Sequence, residues 1–302
     1  MKNMRIPLCI AWGVAVIGII LGSFFDLSIS KAIASPNNGF GLIISAIGPT
    51  IGFAAVAAMG GGFVAFALKG QYSIILKVLF FVLAACCIGV AIYYPAGEYF
   101  GINGFYKAAP KWVGYLIVLI PELAAGVGGY FLFKDCQNKN MWIVFCVIIA
   151  ILCIALLAVI PFLKDTIHRP RFRFISKTNY NLFYNWWEPT KNYKDLMQFY
   201  GTDKDNFKSY PSGHTAEASI LLVAITFLPL AGKKFEKIQL PAFIVGCAVV
   251  LLVAFARILA AAHFLSDVSF GATIVLTLLI IANEVVTRVK ALHVEEQEPK
   301  KE

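Results

Sequence analysis

The chain has 302 residues, of which 59% are hydrophobic and only 14% are charged, and its mean hydropathy is +0.76. Soluble domains are typically about 45–50% apolar and about 25% charged, so this composition excludes an ordinary soluble protein and indicates an integral membrane protein. The formal net charge of +9 would favour nucleic-acid binding in a soluble protein. Here we attribute much of it to the cytoplasmic flanks of membrane helices, and we expect no nucleic-acid partner.

Eight apolar segments divide the chain, and most are close to the ~20 residues that a helix needs to span a bilayer. They lie at about 7–25, 44–68, 74–94, 112–133, 142–163, 215–231, 240–257 and 267–287. The sequence therefore predicts an all-α, polytopic transmembrane helical bundle. The first segment could be a signal peptide, but Asp26 and Lys31 separate its long apolar run from the cleavage-like Ala32-Ile33-Ala34. We expect an uncleaved helix.

Lysine and arginine are distributed unequally between the two predicted sides of the membrane. With the N-terminus inside, the inner flanks hold most of these cations, whereas the short outer flanks hold only Lys31, Lys107, Lys111 and Arg257. This asymmetry predicts a multi-pass protein of the cell membrane with both termini inside.

The loop from Lys164 to Gly213 breaks that pattern, because it is predicted to lie outside yet holds nine Lys/Arg against five Asp/Glu. Cations are disfavoured at an outer helix end, so Lys164, Arg169, Arg171 and Arg173 suggest a function, although a long loop can be exempt from the rule. The loop is also rich in aromatic residues. These predict either an interfacial cap over an outward-facing site or a small self-packed extracellular subdomain.

The segment Tyr210-Pro211-Ser212-Gly213-His214 precedes the sixth apolar segment and is typical of a loop that turns into a helix. Ser212 is a candidate N-cap, and Gly213 allows a backbone N–H to approach a ligand closely. A helix N-terminus attracts anions, and His214 in its first turn could donate a proton to a bound group. Ordinary helix capping is the alternative.

Arg257, His263 and Asp267 lie between the seventh and eighth apolar segments. If the eighth helix begins by His263, the Asp267 carboxylate shares its face and accepts a hydrogen bond from one imidazole nitrogen. The other nitrogen then keeps its lone pair as a nucleophile. A solvated helix cap at the membrane edge is the alternative.

Alternating spans place all of these residues on the outer side, where they suit a phosphoryl group. Lys164, Arg171 and Arg257 would neutralise its oxygens, and the Ser212–Gly213 turn would add hydrogen-bond donors. Neither a carboxylate cluster nor a metal-binding cysteine spacing accompanies them, so we expect no metal and no other cofactor.

Three motifs resemble the signatures of the type 2 phosphatidic acid phosphatase (PAP2) superfamily, mainly across 165–287: Lys164-(six residues)-Arg171, Pro211-Ser212-Gly213-His214 and Arg257-(five)-His263-(three)-Asp267. The resemblance implies a six-helix core and a metal-independent, membrane-bound lipid phosphate phosphatase. It implies that His263 attacks phosphorus, that Asp267 orients His263 and that His214 protonates the leaving oxygen. It also implies the phosphate-binding set Lys164, Arg171, Ser212, Gly213 and Arg257.

Two positions depart from the family pattern: Phe172 replaces a proline and Ala256 replaces a serine. Because Arg169-Pro170 comes two residues early, the arginine that contacts phosphate is uncertain, and we favour Arg171 for its spacing from Lys164. Five apolar segments precede the first motif, whereas the smaller family members have three. The role of the additional pair is open.

The predicted organisation has three parts: N-terminal transmembrane helices (1–141), a catalytic core including the loop 164–213 (142–290), and a cytoplasmic tail (291–302). Within the first part, Glu122 follows Pro121 near the centre of the fourth segment. An ionisable group at this depth suggests a function. A structural hydrogen bond at a proline-broken turn is the alternative.

The expected activity is hydrolysis of the phosphomonoester or diphosphate headgroup of a lipid, with the active site on the extracellular or periplasmic face. The resemblance suggests undecaprenyl diphosphate, phosphatidic acid or phosphatidylglycerol phosphate as the membrane-lipid substrate. One alternative is a phosphotransferase that uses a lipid or sugar acceptor. Another is a noncatalytic transporter or scaffold, which we would expect to have lost His214 or His263.

Overall fold

The computed structural model describes residues 4–101, 111–136 and 138–289, and within these ranges the chain forms helices and no β-strand. The α-helices in chain order are α1 (Arg5–Ile33), α2 (Gly39–Lys69), α3 (Ile74–Gly101), α4 (Lys111–Phe133), α5 (Met141–Leu152), α6 (Ile160–Ile167), α7 (Phe172–Ile175), α8 (Tyr193–Tyr200), α9 (Gly213–Phe227), α10 (Glu236–Leu259) and α11 (Leu265–Arg288). Eight helical stretches are long and apolar enough to cross a membrane, which confirms the predicted helical bundle. The predicted tail 291–302 lies outside the described residues.

The fifth span is longer than its apolar segment. A π-helical turn, Cys153–Val159, joins α5 to α6, so the helix continues to Ile167 and ends where His168 adopts a left-handed conformation (φ 48°). Lys164, which we predicted at the start of the loop, therefore lies in the last turn of this span. The Lys164 side chain is therefore carried by a helix rather than by the loop that follows it.

The helix α2 is the centre of the bundle and packs against α3, α4, α9 and α10. The Asn38 side chain caps it by accepting a hydrogen bond from Gly41 N at 3.0 Å. Small residues allow its close approach to α4: a Cβ added at Gly129 would lie 2.0 Å from the carbonyl oxygen of Ala58. Such small-residue contacts drive helix association in membranes, where lipid and side chains are equally apolar. Through α2 the N-terminal helices are joined to the helices that carry the motifs.

The helix α1 packs along α11 and comes very close to the N-terminal turn of α11. A Cβ added at Gly22 would lie 2.5 Å from Ser266 N and 2.7 Å from Asp26 Oδ1. Glycine is therefore required at this position, and it seats Asp26 beside the first turn of α11.

The loop between α6 and α9 has a hydrophobic core of its own. Phe172, Phe174, Leu182 and Phe207 are buried in one cluster, and this cluster includes Phe264 at the start of α11. The loop is thus anchored to the end of the bundle at which α6 ends and α9 begins.

Candidate active site

A cavity of about 1250 Å³ opens at this end of the bundle. Six of the eight predicted site residues line it, namely Lys164, Arg171, Gly213, His214, Arg257 and His263. The other two, Ser212 and Asp267, are fully buried and hydrogen-bond to each other through their backbones, with Ser212 N donating to Asp267 O at 2.9 Å. The structure therefore brings together the three motifs from four different helix ends.

A tight turn after α10 explains the spacing between Arg257 and His263. Ala261 adopts a left-handed conformation (φ 56°), and the backbone N–H groups of Ala262 and His263 both donate to the carbonyl oxygen of Arg257, at 3.1 and 3.3 Å. The turn folds the chain back, so that both side chains line the same cavity. Since α11 begins only at Leu265, His263 precedes the helix rather than opening it.

This geometry corrects the predicted contact between His263 and Asp267. His263 Nδ1 lies 4.0 Å from Asp267 Oδ2, which is too far for a hydrogen bond, and 2.5 Å from the carbonyl oxygen of Ser209. A carbonyl oxygen only accepts, so Nδ1 carries the proton and Nε2 keeps its lone pair. Nε2 lies 3.4 Å from Nη1 of the cavity-lining Arg171.

Asp267 instead holds the groups around His263. Its Oδ2 accepts hydrogen bonds from Ser209 Oγ at 2.6 Å and from Phe264 N at 2.9 Å. Its Oδ1 accepts from Arg169 Nη1 at 2.6 Å. The carboxylate thus acts on the imidazole through Ser209, a residue that no motif in the sequence singled out.

The electrostatic environment keeps His263 neutral. Burial, followed by the positive charges of Arg171, Arg257 and Lys164, holds the pKa of His263 well below its usual range. The imidazole is 1% exposed. A neutral imidazole whose Nε2 carries a lone pair is the form required for nucleophilic attack.

The Arg171 guanidinium is held in place by hydrogen bonds to the turn Lys204–Phe207. Its Nε donates to the Asp205 carbonyl oxygen at 2.8 Å and its Nη2 to Asp205 Oδ1 at 3.0 Å, while Nη1 donates to Ala262 O at 3.2 Å. Burial by itself would raise the pKa of Asp205. The guanidinium groups of Arg171 and Arg173 outweigh this effect and lower the pKa below its usual value, so the carboxylate is ionised at neutral pH. The Arg171 guanidinium is thereby held at the cavity wall beside His263.

Arg169 occupies a different environment from Arg171. It is 1% exposed, and its guanidinium binds Asp26 Oδ2 at 2.9 Å, Asp267 Oδ1 at 2.6 Å and Tyr184 O at 2.9 Å. Arg169 does not line the cavity, whereas Arg171 does. Arg171 is therefore placed to meet a phosphate, and Arg169 supports the groups behind it.

The second motif has the predicted helix cap. Ser212 Oγ accepts from Thr215 N at 3.4 Å and from Thr215 Oγ1 at 3.1 Å, which confirms Ser212 as the N-cap of α9. A Cβ added at Gly213 would lie 3.4 Å from Lys164 Nζ and 3.6 Å from Glu217 Oε1. Glu217 is buried and lines the cavity, although we did not predict it as a site residue. An acid in an apolar helix was the signal for it.

A comparison with known protein families identifies the family of this chain. The family model of the PAP2 superfamily matches residues 124–290, which is more than half of the chain. The chain belongs to the PAP2 superfamily. Comparisons with curated proteins and with solved structures gave no match.

Membership of the PAP2 superfamily indicates a phosphatase-type activity, and the eight apolar helices indicate a membrane protein. The matched region includes every predicted site residue and begins within α4, earlier than the boundary at 142 that we predicted for the core. The helices α1 to α3 precede it, although α2 and α3 contribute Leu42 and Tyr94 to the cavity wall of this PAP2 protein.

In the part of this PAP2 protein that the structure describes, no three His, Cys, Asp or Glu side chains are grouped so that they could hold a metal ion.

Glu122 is fully buried in α4, and within the described residues neither of its carboxyl oxygens has a hydrogen-bond partner. The structural hydrogen bond that we considered for Glu122 is therefore not formed.

We expect Arg169→Gln to lower the free energy of unfolding by about 3–5 kcal/mol, because it leaves Asp26 and Asp267 buried without their cation. Arg171→Gln is the matched control, with an expected loss of about 1 kcal/mol, since its partner Asp205 has a side chain that is 52% exposed. Thermal unfolding of both purified variants in detergent measures the difference. Equal losses would contradict a structural role for Arg169.

Proposed function

We propose that this protein hydrolyses the phosphomonoester or diphosphate headgroup of a membrane lipid through a phosphohistidine intermediate. One observation carries the proposal: a single cavity joins the two histidines and three cations to apolar side chains of three membrane-spanning helices. The first group of residues suits phosphoryl transfer, and the second suits a hydrocarbon chain.

In the first step, His263 Nε2 attacks phosphorus while Lys164, Arg171 and Arg257 neutralise the phosphoryl oxygens. The N–P bond forms and the P–O bond to the lipid breaks. His214, which takes up a proton when the phosphate anion binds beside it, gives this proton to the leaving oxygen. The Ser209 carbonyl oxygen accepts from Nδ1–H, and so stabilises the positive charge that develops on the ring. The fixed cations act without reorganisation, which is the main source of catalysis in such transfers.

In the second step, water attacks the phosphohistidine. His214, now neutral, accepts a proton from this water, because the group that acts as acid in one half-reaction acts as base in the other. The N–P bond breaks and inorganic phosphate forms, with His263 neutral and His214 protonated while the phosphate is bound. The proton leaves His214 when the phosphate leaves. No step in this sequence requires a metal ion or another cofactor.

The lipid part of the substrate is assigned from the apolar cavity wall. Leu42 of α2, Tyr94 of α3, and Leu156 and Ile160 of the fifth span line the cavity together with the charged residues. A hydrocarbon chain in contact with this wall leaves the phosphate at the cations. Undecaprenyl diphosphate, phosphatidic acid and phosphatidylglycerol phosphate all combine a long chain with such a headgroup.

The proposed location of the site is the outer face of the cell membrane. All site residues lie at the end of the bundle to which α1 and α10 run and from which α2 and α9 start. The excess of Lys and Arg on the opposite flanks supports an inside position for both termini. The cavity would then open to the extracellular or periplasmic side.

A substrate panel in detergent with EDTA present tests the proposal. Each buried methylene contributes about 0.8 kcal/mol, so several of them should make kcat/KM for long-chain lipid phosphates about 10²-fold or more higher than for short soluble esters. Leu156→Asn should reduce this preference, whereas Leu157→Asn should not, because Leu157 is 58% exposed on the outside of the bundle. Equal turnover of short soluble esters would contradict the lipid assignment.

The same assay tests the remaining parts of the proposal. Activity that requires added Mg²⁺ would contradict the metal-independent mechanism. Release of less inorganic phosphate than lipid alcohol, with the difference recovered on an added alcohol or sugar acceptor, would identify a phosphotransferase. An inactive protein with both histidines intact would favour a noncatalytic role.

A further inference from the structure

Asp26 places a carboxylate from the first membrane helix behind the active site. It is 2% exposed, and its Oδ2 accepts from Arg169 Nη2 at 2.9 Å. The first turn of α11 binds the same carboxylate, with Ser266 N donating to Oδ1 at 2.9 Å and Ser266 Oγ donating to Oδ2 at 2.5 Å. Asp26 lies outside the region matched by the family model, and the proposed mechanism has not used it.

A path of hydrogen bonds, continued through the covalent bonds of Ser209, leads from Asp26 to the proposed nucleophile. Arg169 bridges the two carboxylates, donating from Nη2 to Asp26 and from Nη1 to Asp267 Oδ1 at 2.6 Å. Asp267 Oδ2 accepts from Ser209 Oγ at 2.6 Å, and the Ser209 carbonyl oxygen lies 2.5 Å from His263 Nδ1. The charged side chains that take part in these hydrogen bonds are at most 1% exposed, so the interactions between them are poorly screened by solvent.

The orientation of Arg169 depends on Asp26. The guanidinium is a rigid planar fork, and its carbon lies 4.2 Å from the centre of the Phe264 ring, which restricts its rotation. Asp26 on Nη2 and Asp267 on Nη1 set this orientation together with Tyr184 O, which accepts from Nε, and Ser266 Oγ, which accepts from Nη1. Loss of the negative charge at Asp26 would weaken the hold on Nη2, and the guanidinium would shift towards Asp267.

We propose that Asp26 is a positioning residue for His263, acting through Arg169, Asp267 and Ser209. This inference rests on the proposed nucleophilic role of His263. Asp26 does not line the cavity, so it would not contact a phosphate bound there. It sets the place of the Ser209 carbonyl oxygen, which in turn sets the direction of the Nε2 lone pair. Small displacements of a reacting group cost much rate, about 10²-fold for 1 Å.

The test is the full-length Asp26→Asn variant, which removes the charge and keeps the shape. We expect kcat to fall about tenfold or more while KM stays unchanged. Inhibition by inorganic phosphate should also be unchanged, because the cations that bind it remain. Affinity for orthovanadate, which resembles the transition state, should fall by the same factor as kcat. Ser30→Ala is the matched control, since Ser30 is buried one turn further along α1 and lies outside the chain of bonds.

A double-mutant cycle separates positioning from a general loss of structure. In an Asp267→Asn background, Asp26→Asn should have little further effect on kcat, because both residues act through the same path. Independent, multiplicative losses would overturn the inference. So would a normal kcat for Asp26→Asn, or a loss of activity that matches a loss of folded protein with kcat per folded molecule unchanged.

A second variant covers the case in which Asp26→Asn does not fold. Ser266→Ala removes a hydrogen bond to Asp26 and one to Arg169 without removing a charge, so we expect a smaller fall in kcat, again with KM unchanged. A normal kcat in this variant would then overturn the inference. If His263→Ala retains activity, the proposed function itself fails. If His263→Ala is inactive while Asp26→Asn is normal, only the role of Asp26 fails.

Discussion

His263→Ala is expected to reduce phosphate release by about 10⁴-fold or more, because the variant lacks the atom that we propose accepts the phosphoryl group. The position of this atom supports a large effect: Nδ1 is held by the Ser209 carbonyl oxygen, and Nε2 lies beside Arg171. The measurement is release of inorganic phosphate from a lipid phosphate in detergent with EDTA present.

A matched histidine provides the control for this loss. His168 is also largely buried, but it stacks on Tyr193 with the ring centres 3.6 Å apart and does not line the cavity. His168→Ala should therefore keep a kcat close to that of the unmodified protein. Undiminished phosphate release by a folded His263→Ala protein would rule out His263 as the nucleophile.

His214→Ala should show an effect that depends on the leaving group. General acid catalysis typically contributes about 10²–10⁴-fold, and an alkoxide leaving group needs that proton whereas p-nitrophenolate does not. We therefore expect the first step to be slow with a lipid phosphate and nearly normal with p-nitrophenyl phosphate. Because His214 also serves as the base for water, the second step should be slow with both substrates.

Stopped-flow measurements reveal this combination as a burst. His214→Ala should release about one equivalent of p-nitrophenolate per active site rapidly and then turn over slowly, as expected when a covalent intermediate accumulates. Arg171→Gln is the control, because its guanidinium is assigned to the phosphoryl oxygens and its loss should slow the first step with both substrates. Equal slowing of the first step with both substrates in His214→Ala would contradict its role as proton donor.

The sequence was sufficient to predict the long helices and the helix cap, because both depend on residues that are close together in the chain. Apolar segments of adequate length predicted the eight helices that, among the described residues, are long and apolar enough to cross a membrane. Ser212 at the start of α9 is the N-cap that its residue type suggested. Because alternating spans bring every second helix end to one side, the motifs were expected to meet. The structure places six of their residues around one cavity.

Tertiary contacts decided what the sequence left open. The spacing of His263 and Asp267 suggested a direct bond, but α11 begins too late for the two to share a helical face. The groups that link them, Ser209 and Arg169, come from the loop between α6 and α9. Asp26 is 240 residues from its partner Ser266, and no local pattern connects them. The presence of an acid in an apolar helix was the only signal for it.

The additional N-terminal helices have a structural explanation in part. Leu42 of α2 and Tyr94 of α3 line the cavity, and α1 supplies Asp26, so all three helices contribute to the region around the site. A truncated chain that begins near 124, where the match to the family starts, would lose these contributions. The region 142–290, which we predicted as the catalytic core, is thus in contact with the helices before it.

If His263 carries the phosphoryl group, the covalent intermediate can be mapped to it. His214→Ala would be mixed with p-nitrophenyl phosphate, denatured at alkaline pH, where phosphohistidine persists, and digested for mass spectrometry. We expect one phosphoryl group on the peptide that contains His263, and none in the His214→Ala, His263→Ala double variant. A phosphoryl group on any other residue, or a burst of p-nitrophenolate without a phosphorylated protein, would contradict this role of His263.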